Sequence, residues 1–376
     1  MDLKTKTDVG DYMKTFACTA VMMQSVLGLA FKTNPSNIQQ TGIGIVYNLV
    51  KFTAPAFIFG ILYTTIRTTD GSSLKNYPNY IKKQWHAQFI PTIWWTLAYL
   101  LIFPNVQQIS RYFNLKSFLW QFINGNAAPH LWYNTMMLQF IILMPIFWTI
   151  ANFVGNSSKK AWQIGIITFV FYFIWIYFYD LEVFHGVHMK NWYLLDRIFI
   201  SFIIYGVLGI LTWKFHFQIK KFLQKTIYIY FIAFLLIFIW TNWELTSFGY
   251  PVKLTNAPYY KPSMSFYSLT IITLIAILAF RQIRLKSFAL KIFHFLATYA
   301  YRAYLSNYFW LETVWIIGGS KLHQSNSIIM IIICYLFTWC LSFSSAYSFH
   351  VIWKKIKKYP QKIAHSNFLA NKEDHT

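Results

Sequence analysis

GIGIVYNLVKFTAPAFIFGILYTTI, residues 42–66, is twenty-five residues long and holds a single charge, Lys51, near its middle. Crossing the hydrocarbon core of a bilayer takes about 20 mostly apolar residues in a helix. The stretch therefore predicts a membrane span with a lysine too deep to reach either surface easily. Nine more stretches read the same way: 12–31, 87–104, 131–154, 161–180, 195–214, 224–241, 263–281, 292–317 and 327–352. The fold class is an all-α integral membrane protein, a bundle of about ten transmembrane helices. Composition agrees: 56% of residues are hydrophobic, 21% aromatic and only 12% charged, unlike a soluble domain.

The net charge of +22, from 33 Lys and Arg against 11 Asp and Glu, first suggests nucleic acid. Placement excludes it. Most cations lie in the short breaks between apolar runs and favour every second break. With Lys4 and Lys6 on the cytoplasmic side, the inner segments hold 22 of the basic residues and the outer segments 7. That asymmetry orients a membrane protein and faces anionic lipid heads. It predicts cytoplasmic N- and C-termini, one transmembrane domain over 1–352 and a basic cytoplasmic tail over 353–376. The first apolar run is too long for a signal-peptide core. Cys18, Cys334 and Cys340 lie in apolar runs and read as packing residues. His185 and His188 lack a third ligand, so no metal is expected. Abundant Lys, Asn, Ile, Phe and Tyr suit an AT-rich bacterial genome and hence a bacterial cytoplasmic membrane. The longest outer breaks, 105–130 and 242–262, are too short for a soluble domain, so any chemistry belongs in or at the bilayer.

Four basic residues fall inside the runs: Lys14, Lys51, Arg197 and Arg302. A charge at mid-membrane costs at least about 2.5–3.5 kcal/mol, so each needs a reason. Lys14 either snorkels and pairs with Asp11, or faces a cavity that admits an anion. Eleven residues further, a helix returns to within about 20° of the same face and lies about 16 Å deeper. That position is Ser25, so Lys14 and Ser25 define one prospective channel, with Gln24 beside it. Lys51 calls for a partner or a cavity. Arg197 reads as an ion pair with Asp196. Arg302 and Glu312, ten residues apart on one span, lie on different faces and do not pair directly.

His130-Leu-Trp-Tyr133 opens the fourth span, which continues through Gln139 to Pro145. With Asp11-Tyr-Met-Lys14, Thr53-Ala-Pro-Ala-Phe57, the basic Tyr80-Ile-Lys82-Lys83 and Tyr301-Arg-Ala-Tyr-Leu-Ser-Asn307, in this order, the chain resembles the acyltransferase-3 family over nearly its whole length. That family includes proteins of biofilm polysaccharide loci, described both as exporters and as O-modifying enzymes. The resemblance implies transfer of an acetyl or succinyl group from cytoplasmic acyl-CoA, as donor substrate rather than bound cofactor, to an envelope polysaccharide or related glycan. It puts Lys14, with Lys82 and Lys83, at the anionic donor, where the family's Arg is replaced by a Lys without the bidentate fork. His130, Trp132 and Tyr133 fall near the acceptor, where rings stack on sugars; an interfacial aromatic belt is the competing reading for the last two. Lys51, Arg302 and Asn307 join the substrate-binding candidates. The family's histidine eleven positions after the basic residue is Ser25 here, with Gln24 next to it, and its late histidine is Asn307. Neither Asn nor Gln is a base at neutral pH. Three readings stay open: an enzyme with another base, His130 or Glu312; a polysaccharide exporter or an accessory subunit of a glycan synthase; or an inactive relative.

Overall fold

The computed structural model describes residues 7–109, 111–325 and 327–373, so Lys4 and Lys6 lie outside the described residues. The described chain is helical with no strand. Its helices are α1 (Val9–Phe31), α2 (Asn37–Leu49), α3 (Thr53–Thr68), α4 (Tyr77–Gln84), α5 (Ile90–Ile102), α6 (Leu115–Asn124), α7 (Leu131–Ile142) and α8 (Met144–Val154). They continue as α9 (Ser158–Tyr179), α10 (Ile203–Lys214), α11 (His216–Lys225), α12 (Ile227–Ser247), α13 (Pro262–Arg284), α14 (Ala289–Val314), α15 (Ser320–Ser325) and α16 (Ser327–Glu373).

Among the described residues six runs are long and apolar enough to cross a membrane: Val9–Phe31, Asn37–Thr68, Ser158–Phe184, Ile227–Ser247, Pro262–Arg284 and Ser327–Ile356. Two bent pairs, α7 with α8 at 56° and Phe199–Lys214 with α11 at 100°, make eight if each is one span. These eight coincide with eight of the ten expected stretches. The other two are helical but fall short of that standard: α5 has 13 residues after a π-helical turn at Trp85–Phe89, and the 26-residue α14 is too polar. Only 6% of the apolar window of α12 is covered by the rest of the chain, and Phe231, Leu236 and Ile239 stand exposed. Continuous apolar faces of this size belong in hydrocarbon, not water. The protein is a multi-pass membrane protein.

Helix α1 packs against α3, α13, α14 and α16. Its crossing with α3 is close because both helices present glycine. A Cβ on Gly60 would lie 2.8 Å from Met13 Cβ, and one on Gly10 would lie 2.7 Å from the Gly60 carbonyl. In lipid, such small residues let backbones approach and gain packing energy. Helix α10 seats on α3 in the same manner, through Gly209 against the Phe59 carbonyl.

The 42–66 stretch is not one unbroken helix. Helix α2 ends at Leu49 and α3 begins at Thr53. Pro55 has no amide to give the Lys51 carbonyl four residues back, and its ring crowds that carbonyl. The break also leaves the Leu49 and Val50 carbonyls without helical partners, and no water reaches a bilayer interior. Tyr267 donates its hydroxyl to Leu49 O at 2.7 Å, and Gln24 donates Nε2 to Val50 O at 2.5 Å. The break is thus held by side chains of α13 and α1, and it places Lys51 inside the bundle instead of on a helix face.

Candidate active site

Two cavities open toward opposite ends of α1. The larger, about 570 Å³, is lined by Gln24, Ser25, Lys51, His130, Trp132 and Tyr133, among others. The smaller, about 280 Å³, lies near the start of α1 and is lined by Lys14, Arg302 and His350 with parts of α3, α7 and the π turn before α5. Phe57, Tyr133 and Tyr304 line both. Their rings touch pairwise, with centroids 5.4 Å (Phe57 to Tyr133), 5.6 Å (Tyr133 to Tyr304) and 5.9 Å (Phe57 to Tyr304) apart. Lys14 and Ser25 lie along α1 as the helix geometry predicts, but they do not share one channel. Each lines its own cavity, and this ring triangle is the common wall.

In the smaller cavity, Lys14 Nζ lies 2.9 Å from Asp11 Oδ1, and the other oxygen of Asp11 is 3.0 Å from His294 Nδ1. Asp8, one turn earlier, caps α1 through the Asp11 amide at 2.8 Å and pairs with Arg67 Nε at 2.7 Å. Lys14 therefore both pairs locally and faces the cavity. His350 Nδ1 is 3.0 Å from the Tyr299 hydroxyl. Lys82 and Lys83 are exposed on α4 and line neither cavity.

In the larger cavity, the Ser25 hydroxyl is 3.2 Å from Asn307 Oδ1. Asn307 is fully buried, and its amide donates to the Tyr304 carbonyl. The two positions where the family resemblance expects histidines are thus in contact with each other, filled by a short polar pair. His130 is buried among Tyr99, Tyr304 and Tyr308, with ring centroids 5.3, 5.1 and 6.0 Å away. Its Nε2 meets the Leu305 carbonyl at 3.4 Å, and its Nδ1 has no partner. A carbonyl only accepts, so Nε2 carries the proton and Nδ1 keeps a free lone pair. Glu312 does not line the cavity but lies near Tyr308 and Lys32, which do.

Lys51 is buried with Nζ 3.0 Å from the Tyr47 hydroxyl and 4.6 and 4.5 Å from the ring centroids of Tyr47 and Tyr259. The Tyr259 hydroxyl in turn bonds Thr53 Oγ1 at 2.6 Å, and its ring is 5.5 Å from that of Trp132. Gln24 braces this assembly through Val50 O. Arg197 pairs with Asp196 at 3.1 Å, as its sequence neighbour suggested, and also donates to Asn126 Oδ1 at 2.6 Å. Gln139 fixes the same segment, donating to Arg197 O at 2.6 Å and accepting from the Phe199 amide at 3.1 Å.

The residues that sequence reasoning did not single out are mostly tyrosines: Tyr47, Tyr259, Tyr304 and Tyr308, with His350. Tyr259 belongs to the 242–262 break, which folds back so that Val252, Ala257, Tyr259 and Tyr260 are buried. The 105–130 break does likewise and lends Asn105 to Ile109 and His130 to the larger cavity. No periodicity marks such a return.

A family profile described as an acyltransferase domain matches residues 11–347, nearly the whole chain. No curated protein and no solved structure matches it.

Proposed function

The chain belongs to the acyltransferase-3 family, and on that premise we propose that it transfers an acetyl or succinyl group from acyl-CoA to a hydroxyl of a cell-envelope polysaccharide or related glycan. The observation that carries this reading is the pair of cavities along α1 that share three lining rings, Phe57, Tyr133 and Tyr304. In the proposed topology ten helices cross a bacterial cytoplasmic membrane, α5 and α14 included, and both chain ends are cytoplasmic. The 22-to-7 division of basic residues supports that orientation.

The smaller cavity then faces the cytoplasm and receives the donor. Lys14 and Arg302 offer cations to its phosphates. The larger cavity receives the glycan, with Trp132 and Tyr133 as stacking surfaces. The thioester and the acceptor meet where Phe57, Tyr133 and Tyr304 part. There the acceptor oxygen attacks the thioester carbonyl carbon, a C–O bond forms, and the C–S bond breaks to release CoA thiolate. The hydroxyl proton passes to a base before reaching the thiolate. His130, with its free Nδ1, is the imidazole in the cavity suited to that role. Gln24 acts by holding the α2–α3 break, and Glu312 through Tyr308.

Deleting the gene and measuring total surface glycan beside its base-labile acyl esters tests the reading. Loss of esters with normal glycan is expected. Loss of glycan at normal ester density refutes acyl transfer and favours an exporter or a synthase subunit, the reading that the Ser25 and Asn307 replacements keep in play.

A further inference from the structure

Lys51 has more charge than its surroundings answer. It is 8% exposed, sits at the helix break and lines the larger cavity. Its neighbours are two tyrosine rings and one hydroxyl. Among the described residues no ion pair includes it, and no Asp or Glu lines the cavity. The other lysine on the lining, Lys32, differs: it is exposed and has Glu312 nearby. A buried ammonium is costly unless something pairs with it, and cation–π contacts with two tyrosines answer only part of that cost. The chain nonetheless builds an elaborate support for it: Pro55 breaks the helix, Gln24 and Tyr267 satisfy the opened carbonyls, and Thr53 fixes Tyr259.

We propose that Lys51 anchors an anion subsite in the larger cavity, so that one of the substrates meeting there carries a carboxylate or phosphate group within reach of its Nζ. This deepens the acyl-transfer reading and rests on it only for what the bound molecule is. The anion has two sources with one chemistry. It belongs either to an acidic acceptor, such as a uronate- or phosphate-bearing glycan, or to a donor acyl group that itself ends in a carboxylate. The tyrosine rings fit both, holding the ammonium in place from two sides while leaving its remaining N–H donors for the ligand.

The test uses the full chain in lipid nanodiscs and reads binding without turnover. The acceptor probes are a glucuronate-bearing oligosaccharide, a glycerol-phosphate oligomer and an uncharged oligosaccharide of equal length. The donor probes are succinyl-CoA and acetyl-CoA. Wild-type protein is expected to bind one anionic probe more tightly than its neutral counterpart, and Lys51→Met and Lys51→Gln to lose roughly tenfold to a hundredfold of that affinity while binding the neutral probe unchanged. Lys51→Arg should retain most of the preference. Discrimination among the acceptors assigns the anion to the glycan, and discrimination between the donors alone assigns it to the acyl group. If wild type and both neutral variants bind every charged probe no better than its neutral partner, the subsite does not exist. Melting temperatures show that the variants are folded, and neutral variants are expected to melt no lower than wild type, since they remove an unpaired buried charge. Because binding is read separately, a wild-type protein that makes no ester refutes acyl transfer without touching the anion subsite.

Discussion

Gln24→Leu is a sharp test of how the site is held. The amide of Gln24 gives Val50 O its hydrogen bond at 2.5 Å, in the break between α2 and α3. Its other contacts, to Thr53 Oγ1 at 3.3 Å and Tyr259 OH at 3.4 Å, are weak, and those two groups bond each other at 2.6 Å without it. Leucine has similar bulk, so the change is chiefly the loss of one donor. A buried polar group left unsatisfied costs about 1–3 kcal/mol, and that is the expected loss, read by SDS titration in mixed micelles. Tyr267→Phe removes the donor to the adjacent Leu49 carbonyl at 2.7 Å and should cost a similar amount. The two bonds brace one break, so the double variant is expected to depart from additivity by about 0.5 kcal/mol or more. Lys51 should also become more reactive toward an amine-acylating reagent in Gln24→Leu. A variant as stable as wild type, with Lys51 equally protected and the double variant additive, refutes the claim that these side chains hold the break.

Gly209→Val puts a Cβ 2.6 Å from the Phe59 carbonyl and should destabilise by about 1–3 kcal/mol, whereas Gly28→Ala, inside α1 with nothing within 4 Å, should stabilise by up to about 1 kcal/mol; unfolding titrations of both check the α3–α10 seat. Lys14→Met is expected to raise the KM for acyl-CoA roughly tenfold to a hundredfold, while Lys82→Ala and Lys83→Ala, exposed on α4, leave it unchanged; a thiol-release assay separates them. Tyr133→Ala removes a ring from the common wall and should speed acyl-CoA hydrolysis in the absence of acceptor, measured as free thiol; an unchanged rate shows that this wall does not isolate the donor.

The spans were legible because lipid imposes one rule, a long apolar helix, that leaves its mark on every crossing. The exceptions follow the same physics. Helix α5 falls short by length and not by composition, since its 13 mostly apolar residues follow a π-helical turn, whereas α14 packs against α1 and α16 and so can carry Arg302, Asn307 and Glu312. Lys51 was legible as a residue in need of an explanation, since a charge near the middle of a 25-residue, mostly apolar stretch calls for a partner or a cavity. Its partners were not. Tyr259 lies 208 positions away in a returning loop, and nothing in local spacing announces that return. Gln24 was visible as polar and deep, but its task depends on the break between α2 and α3 leaving Val50 O without a helical partner. The helical arithmetic from Lys14 to Ser25 rests on an unbroken α1, which the structure has. It could not show that Phe57, Tyr133 and Tyr304, from α3, α7 and α14, converge between them and divide one prospective channel into two cavities.

The contact between Ser25 and Asn307 bears on where a base can be. Each position alone reads as a lost histidine. At 3.2 Å they form a pair across α1 and α14, and Asn307 is locked further by donating to the Tyr304 carbonyl. Where the family resemblance expects two imidazoles, this chain has a small polar contact beside Tyr304 in the wall. The imidazole present in the cavity, His130, is reached through the same short segment of α14: Tyr304 donates its hydroxyl to the His130 carbonyl, and Leu305 O receives Nε2. One segment, Tyr304 to Asn307, thus touches the wall, the polar pair and the imidazole. If His130 supplies the base in this chain, Ser25→His adds a second imidazole to the same cavity, and ester formation should rise only modestly. If the chain is catalytically impaired because Ser25 stands where the family has histidine, the same substitution should raise it by about 10²-fold or more, the usual contribution of general-base catalysis. His130→Gln must then abolish transfer in the first case and leave the Ser25→His gain intact in the second. Pairing the two variants decides which wall of the cavity holds the base.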